Sequence, residues 1–332
     1  MEEVIPGIFH ISLPLPNPDL DHINTYLVRG ESECLLIDTG WNTPEVFGSL
    51  EAQLAEIGVG FGDISQIVVT HVHPDHYGLA GRLKQFSSAR VALHHLETEF
   101  IESRYINMEV LLTRMAKWLR INGVPDEELA ELRTASIEMV KWVVPVLPDI
   151  VLNGGETISL DSFHFQVLWT PGHSIGHIAL YEPQRKLLIS GDLVLPNITP
   201  NVGLHPQSVP NPLQDYLSSL NAVKKLDVSL VLPGHEYLFT NLKQRVEQIT
   251  RHHQRRNSKI LKILDTTPGT AYQIARNIVW GGTNSASWDE LGPWDRRMAV
   301  MEAMAHLEAM RAEGRVDRFT RGDMVHYQRG AM

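Results

Sequence analysis

At 332 residues, with 43% hydrophobic and 20% charged side chains, the chain can bury a sizeable core and has room for more than one domain. A formal net charge of −10 disfavours polyanions as general partners, and a lone cysteine, Cys34, excludes an intramolecular disulfide or a thiolate metal cluster. No apolar run is long enough to span a bilayer, and the acidic opening Met1-Glu-Glu-Val is unlike a secretory signal, so the expected compartment is the cytoplasm, with no membrane association.

The charge is uneven along the chain. Residues 1–242 hold 14 Lys/Arg against 29 Asp/Glu, whereas residues 243–332 hold 15 against 10, which suggests a change of module near residue 245. In chain order, residues 7–13, 24–28 and 34–37 alternate like sheet strands and run into Asp38-Thr-Gly40. The spacing of Val46, Phe47, Leu50, Leu54 and Ile57, closed by Gly58, predicts a helix over 44–57. A strand at 67–69, a helix near 78–86 and a strand at 90–94 follow. Further strands are expected at 157–170, 177–182, 186–190 and 228–232. Strands interleaved with helices imply a layered α/β body.

Between Ile67-Val-Val-Thr70 and the next helix stands Thr70-His-Val-His-Pro-Asp-His-Tyr-Gly78. Imidazole and carboxylate are the usual nitrogen and oxygen donors to first-row metal ions, and His71, His73, Asp75 and His76 fall within six positions on a loop after a strand. Three more donor types recur in the same setting, each after a strand and a glycine: His173 after Val167-Leu-Trp-Thr-Pro-Gly172, Asp192 after Leu187-Leu-Ile-Ser-Gly191, and His235 after Leu230-Val-Leu-Pro-Gly234. Together these read as a metal site at one edge of the sheets.

With these motifs in hand, the chain resembles the metallo-β-lactamase-fold superfamily, in its glyoxalase-II-like and β-lactamase-like-protein-2 branch. The runs Thr-His-Val-His-Pro-Asp-His-Tyr-Gly, Thr-Pro-Gly-His-Ser-Ile-Gly-His, Ser-Gly-Asp-Leu and Pro-Gly-His stand in that superfamily's order, after Leu-Leu-Ile-Asp-Thr-Gly, and the likeness covers about residues 5–240. It implies a four-layer αββα sandwich carrying two divalent metal ions per chain. By this resemblance His71, His73 and His173 hold the first ion, Asp75, His76 and His235 the second, and Asp192 bridges them. Asp38 matches the family's aspartate that orients ligand imidazoles. The donor set suits zinc first, with iron or manganese as alternatives. His73 stands where the diiron electron-transfer branch carries glutamate, which favours hydrolysis.

A bridging hydroxide between two such ions attacks a carbonyl or phosphoryl group without a separate base. Asp75 is therefore read as a ligand more than a base, and His177 is the candidate for substrate contact or proton delivery, with structural hydrogen bonding as the alternative. His22 and Tyr237 are candidates for bordering the pocket. The remaining histidines, His205 and His306 among them, lack ligand spacing and are assigned structural or surface roles.

Residues 97–150 read as a helical insertion, broken at Asn122-Gly123 and resuming at Pro125-Asp126 to about Val143. Its apolar stripe either packs on the sandwich or forms a lid, substrate wall or dimer contact. Residues 243–332 read as helices at 243–264, 271–279 and 295–313 followed by a hairpin, a winged-helix-like domain beside a catalytic domain of residues 1–242. The third helix is apolar and acidic where a DNA-reading helix should present Arg, Lys, Asn or Gln, so sequence-specific DNA is disfavoured while RNA stays open. Its Met and Leu stripe suits packing or a homodimer. The favoured function is hydrolysis of an ester, thioester or lactone of a small molecule. The alternative is a phosphodiesterase or endoribonuclease on single-stranded RNA.

Overall fold

A computed structural model describes residues 1–17, 20–281 and 286–331. The first sheet has seven strands in sequential order: β1 (Glu2–Ile5), β2 (Ile8–Asn17), β3 (Leu20–Arg29), β4 (Cys34–Ile37), β5 (Ile64–Val68), β6 (Arg90–His94) and β7 (Ile150–Leu152). Strands β1 to β4 pair antiparallel, and β4 to β7 pair parallel. Parallel pairing requires crossovers. These are α1 (Pro44–Glu56) between β4 and β5, the short α2 (Pro74–Tyr77) and α3 (Ala80–Phe86) between β5 and β6, and the helical insertion between β6 and β7. Thr43 caps α1 by accepting the N–H of Val46 at 3.1 Å, with Pro44 pre-set for the first turn.

Strands β8 (Thr157–Leu160), β9 (Phe163–Trp169), β10 (Ile178–Glu182), β11 (Leu187–Gly191) and β12 (Leu230–Pro233) form the second sheet. The expected strand over 157–170 is a hairpin, turning at Asp161, whose φ of 47° breaks the extended run. β11 and β12 run parallel across α7 (Pro212–Val223), and β9, antiparallel to β10, points the same way as both.

Three apolar layers hold these sheets. Ile11, Leu13, Leu27, Leu50 and Leu83 fill the space between the first sheet and its outer helices. Ile8, Tyr26, Val28, Phe165, Leu180 and Leu232 pack face to face between the sheets. Because both faces of each sheet are covered, β4, β10 and β11 are buried at every position and read as apolar runs without alternation. The third layer covers the outer face of the second sheet and completes an αββα sandwich.

That third layer also takes in the insertion and the C-terminal elements. The insertion holds three helices where two were expected: α4 (His95–Tyr105), α5 (Glu109–Ile121) and α6 (Asp126–Val140), the additional break falling at 106–108. Beyond residue 241 come α8 (Leu242–Leu264), α9 (Ala271–Arg276), α10 (Pro293–Ala312) and a hairpin of β13 (Val316–Arg321) and β14 (Met324–Arg329), in the order expected. Leu119, Val124 and Leu129 of the insertion share one continuous cluster with Tyr216 and Leu220 of α7, Ile249 and Ile260 of α8, and Met301 and Leu307 of α10. Tyr272 of α9 donates to Glu128 of α6 at 2.5 Å. The Met stripe of α10 is spent inside this chain: Met301, Met304, Leu307 and Met310 are all buried.

Candidate metal centre

Every expected donor follows the carboxyl end of a strand, and strand direction explains why they meet. β4 and β5 are parallel, so Asp38 and the 71–76 loop emerge at one edge. β9, β11 and β12 share a direction, so His173, Asp192 and His235 emerge together at the facing edge of the other sheet. Two glycines permit the closest approach. Gly191 adopts a φ of 48°, and a Cβ there would lie 2.7 Å from Nε2 of His177. A Cβ on Gly234 would stand 2.5 Å from Oδ1 of Asp192 and 2.8 Å from Cε1 of His76.

The donors fall into three overlapping groups that could hold metal ions: His71, His73 and His173; His71, His76 and Asp192; and Asp75, His76 and His235. Nδ1 of His73 lies 2.9 Å from Nε2 of His71 and 3.0 Å from Nε2 of His173. On the other side, Nε2 of His235 lies 3.2 Å from Asp75 and 3.6 Å from Asp192, and Nε2 of His76 lies 3.4 Å from Asp192.

The atoms behind the rings decide which nitrogen faces inward. A carbonyl only accepts, so His173 donates from Nδ1 to Asn201 O at 2.8 Å and His235 from Nδ1 to His22 O at 3.1 Å. His76 donates from Nδ1 to Asp38 at 2.7 Å. Thr70 uses its hydroxyl hydrogen on Asp38 at 2.9 Å, which leaves its oxygen to accept Nδ1–H of His71 at 3.1 Å. Each of these four rings thus turns Nε2 inward, while His73 turns Nδ1 to His71 and His173, so that ring nitrogens and carboxylate oxygens converge. Nε2 of His76 and Oδ1 of Asp192 are buried without a hydrogen-bond partner. Such atoms are costly unless something positive sits among them. A nitrogen-and-oxygen set of this kind fits a divalent cation.

The electrostatics agree. Burial would lower His76, yet Asp192, Asp38 and Asp75 hold it well above the usual imidazole range. His235 is likewise opposed by burial, and Asp192 and Asp75 push it up to about 10. Burial would raise Asp75, but the imidazoles of His76 and His235 bring it down to about 2. Without metal, protons supply the positive charge that a cation would supply on binding. His71 and His73 are held well below the usual range, by burial first and then by neighbouring imidazoles, and so stay neutral.

His177 is fully buried and occupied on both nitrogens: Nε2 accepts the backbone N–H of Asp192 at 3.0 Å, and Nδ1 faces Thr170 Oγ1 at 2.8 Å. Burial holds it down at about 3. Asp38 sits behind the donors, with a φ of 60°, a left-handed conformation strained for a non-glycine residue. It accepts from Thr70 N–H at 2.8 Å as well as from His76. His22 contributes its carbonyl to His235, and Tyr237 is 55% exposed, bonded to Asn197 at 3.1 Å.

Sequence reasoning missed Glu97. Fully buried at the start of α4, it accepts Val72 N–H at 3.1 Å, Gly176 N–H at 2.7 Å and the Ser174 hydroxyl. It therefore ties the 71–76 loop to the 173–177 loop. A second miss lies behind His173. Asn201, whose carbonyl holds that imidazole, donates from Nδ2 to Glu302 of α10 at 2.9 Å, and Glu302 pairs with Arg256 of α8 at 3.5 Å. No local spacing marks either residue.

A converging set of imidazoles and carboxylates at the edge of an αββα sandwich defines a metal-dependent hydrolase. The description "Metallo-beta-lactamase superfamily" matches residues 18–235, and the chain belongs to that superfamily. It is 28% identical to the probable metallo-hydrolase YqjP of Bacillus subtilis over 326 residues, 96% of this chain and 97% of that one. Over 222 residues it is 32% identical to the acyl-coenzyme A thioesterase MBLAC2 of Homo sapiens, covering 64% of this chain and 72% of that protein. The crystal structure of the metallo-beta-lactamase family protein TTHA1429 from Thermus thermophilus superposes with a TM-score of 0.84 at 33% identity, covering 98% of this chain and all of the other.

Proposed function

We propose that the chain is a dinuclear hydrolase, zinc its first candidate metal, that cleaves the carbonyl of a thioester. The observation that carries this reading is the combination of a complete donor set with relatives named acyl-coenzyme A thioesterase. When bound, two divalent cations polarise the carbonyl oxygen and acidify the attacking water. The protein's own work is to hold the donors. His71, His73 and His173 would ligate one ion, Asp75, His76 and His235 the other, and Asp192 both.

Asp75 acts here as a donor. Asp38 fixes His76 and Thr70, and through Thr70 fixes His71. His177 braces Asp192 through its backbone. This is the structural alternative for His177, and it bears on the leaving group. A thiol has a pKa near 8.5, so a thiolate departs without first receiving a proton, whereas an alkoxide does not. A site whose buried histidine has both nitrogens engaged suits the thiolate.

A second reading, cleavage of single-stranded RNA, draws on one feature: Arg251, Arg255, Lys259 and Lys262 line an exposed face of α8. The net charge of the body weighs against it. Elemental analysis with turnover of a thioester, a lactone, p-nitrophenyl butyrate and bis-p-nitrophenyl phosphate tests both. Two metals per chain and carbonyl turnover abolished by His73→Ala are expected. Phosphodiester turnover alone would transfer the proposal to RNA, and one metal or none would end the dinuclear mechanism.

A further inference from the structure

Arg104, His205 and Arg297 come from three separate stretches of chain that hydrogen bonds draw together beside the 71–76 loop. Arg104 stands at the end of α4, next to Tyr105, whose hydroxyl donates to the carbonyl of Val72 inside the donor run. Nε of Arg104 donates to Gln207 Oε1 at 2.9 Å, and Gln207 returns to α4 through Ser103 Oγ at 2.8 Å. The N–H of Gln207 also donates to Nδ1 of His205 at 3.2 Å. That bond fixes the neutral tautomer of His205 and leaves Nε2–H as a donor. Arg297 comes from α10, one turn before Met301, whose carbonyl accepts the N–H of Leu204 at 2.9 Å. The 204–207 segment is thus pinned to α10 on one side and to α4 on the other.

These groups sense one another. Burial, then Arg104 and Arg297, hold His205 at about 3. Burial and the charge of Arg104 hold Arg297 at about 10. Guanidinium groups carried on the two elements that pin the 204–207 segment, with an imidazole N–H donor on that segment, are arranged for an anion. A planar fork of N–H donors matches carboxylate or phosphate oxygens. The arrangement runs against the trend of its surroundings, since residues 1–242 hold 14 basic side chains against 29 acidic ones.

We propose that Arg104, His205 and Arg297 form an anion subsite beside the metal centre, which grips a carboxylate or phosphate of the substrate while the scissile carbonyl is presented to the metals. What the anion is attached to rests on the thioesterase reading: it belongs either to the acyl half or to the thiol half of the thioester.

The test uses the metal-loaded full chain and butyryl and succinyl thioesters, each on N-acetylcysteamine and on coenzyme A. Wild type is compared with Arg104→Gln, Arg297→Gln and Arg104→Lys at matched metal content. If the anion is on the acyl half, the succinyl-to-butyryl ratio of kcat/KM on N-acetylcysteamine falls about tenfold or more in the glutamine variants and partly recovers in the lysine variant. If it is on the thiol half, the coenzyme A-to-N-acetylcysteamine ratio for butyryl falls instead. Neither ratio moving by more than about twofold overturns the subsite. Calorimetric titration with succinate separates this outcome from failure of the thioesterase reading. Succinate binding weakened about tenfold by Arg104→Gln, with no thioester turned over, keeps the subsite and removes the thioesterase. Thioesters turned over with succinate binding and both ratios unchanged do the reverse.

Discussion

The backbone N–H of Asp192 points at Nε2 of His177 from 3.0 Å, so an imidazole four positions past one proposed metal donor serves as a brace for another. Replacing His177 by Gln should weaken metal binding by about 10–100-fold, the usual cost of losing a group that orients a ligand. Competition with a chromophoric chelator measures this. The pH profile of kcat/KM should keep its shape once metal is saturating. Loss of one limb of that profile with unchanged metal affinity would make His177 a proton donor instead.

Glu97 binds three donors on two loops, all of them buried. Glu97→Gln keeps the size but removes the charge and offers an N–H where an acceptor is needed. We expect the metal-free protein to lose about 2–3 kcal/mol, read from urea unfolding, because each affected bond is charge-assisted and its partner stays buried. A midpoint unchanged from wild type would show that the loops hold each other without it.

Gly234→Ala should separate the two halves of the centre. The added methyl would stand 2.5 Å from Asp192 Oδ1, 2.8 Å from His76 Cε1 and 3.2 Å from the backbone carbonyl carbon of Gly191. Elemental analysis should show metal content falling, with the ion held by Asp75, His76 and His235 lost first. Full metal content with normal turnover would mean that the Gly191 and Gly234 turns can shift together.

Acid should weaken the fold through two buried histidines outside the donor set. His253 is held at about 3, by burial and then by His252 and Arg256, and His306 is held well below its usual range by burial, His253, Arg256 and His252. A depressed folded pKa means that the stability is complete above the unfolded value near 6.5 and is lost as pH falls below it. Each histidine should cost about 1.4 kcal/mol per pH unit in that range. Glu302, raised by burial, has a shift of the opposite sign. Urea midpoints of metal-free protein between pH 7 and pH 5 measure the slope, and His253→Gln should flatten it. An unaltered slope in that variant would locate acid sensitivity elsewhere.

The donors were legible in the sequence because each is a residue of distinctive chemistry placed after an apolar run, His173, Asp192 and His235 with a glycine between, as in Ser190-Gly-Asp192. Helix starts were legible where Thr43-Pro44 or Thr270 supplied a cap. Glu97 was not, because its partners lie 25, 77 and 79 positions away and a glutamate in a helix looks like a solvated one. The break between α4 and α5 was hidden too, since residues 106–108 contain neither Gly nor Pro. His205 reads as an isolated surface histidine until folding links it through Gln207 to Arg104.

The carbonyl of Asn201 that holds His173 is itself held, through Glu302 and Arg256, by α10 and α8. All seven proposed metal donors lie between residues 71 and 235, yet one of them is steadied from beyond residue 241. A chain cut back to the stretch shared with the wider superfamily would keep every ligand and lose the alignment of one. Inheritance of the ligands and inheritance of their precision are therefore separable here, and a homologue that diverges only after residue 241 can retune the centre without altering a single residue that would touch metal.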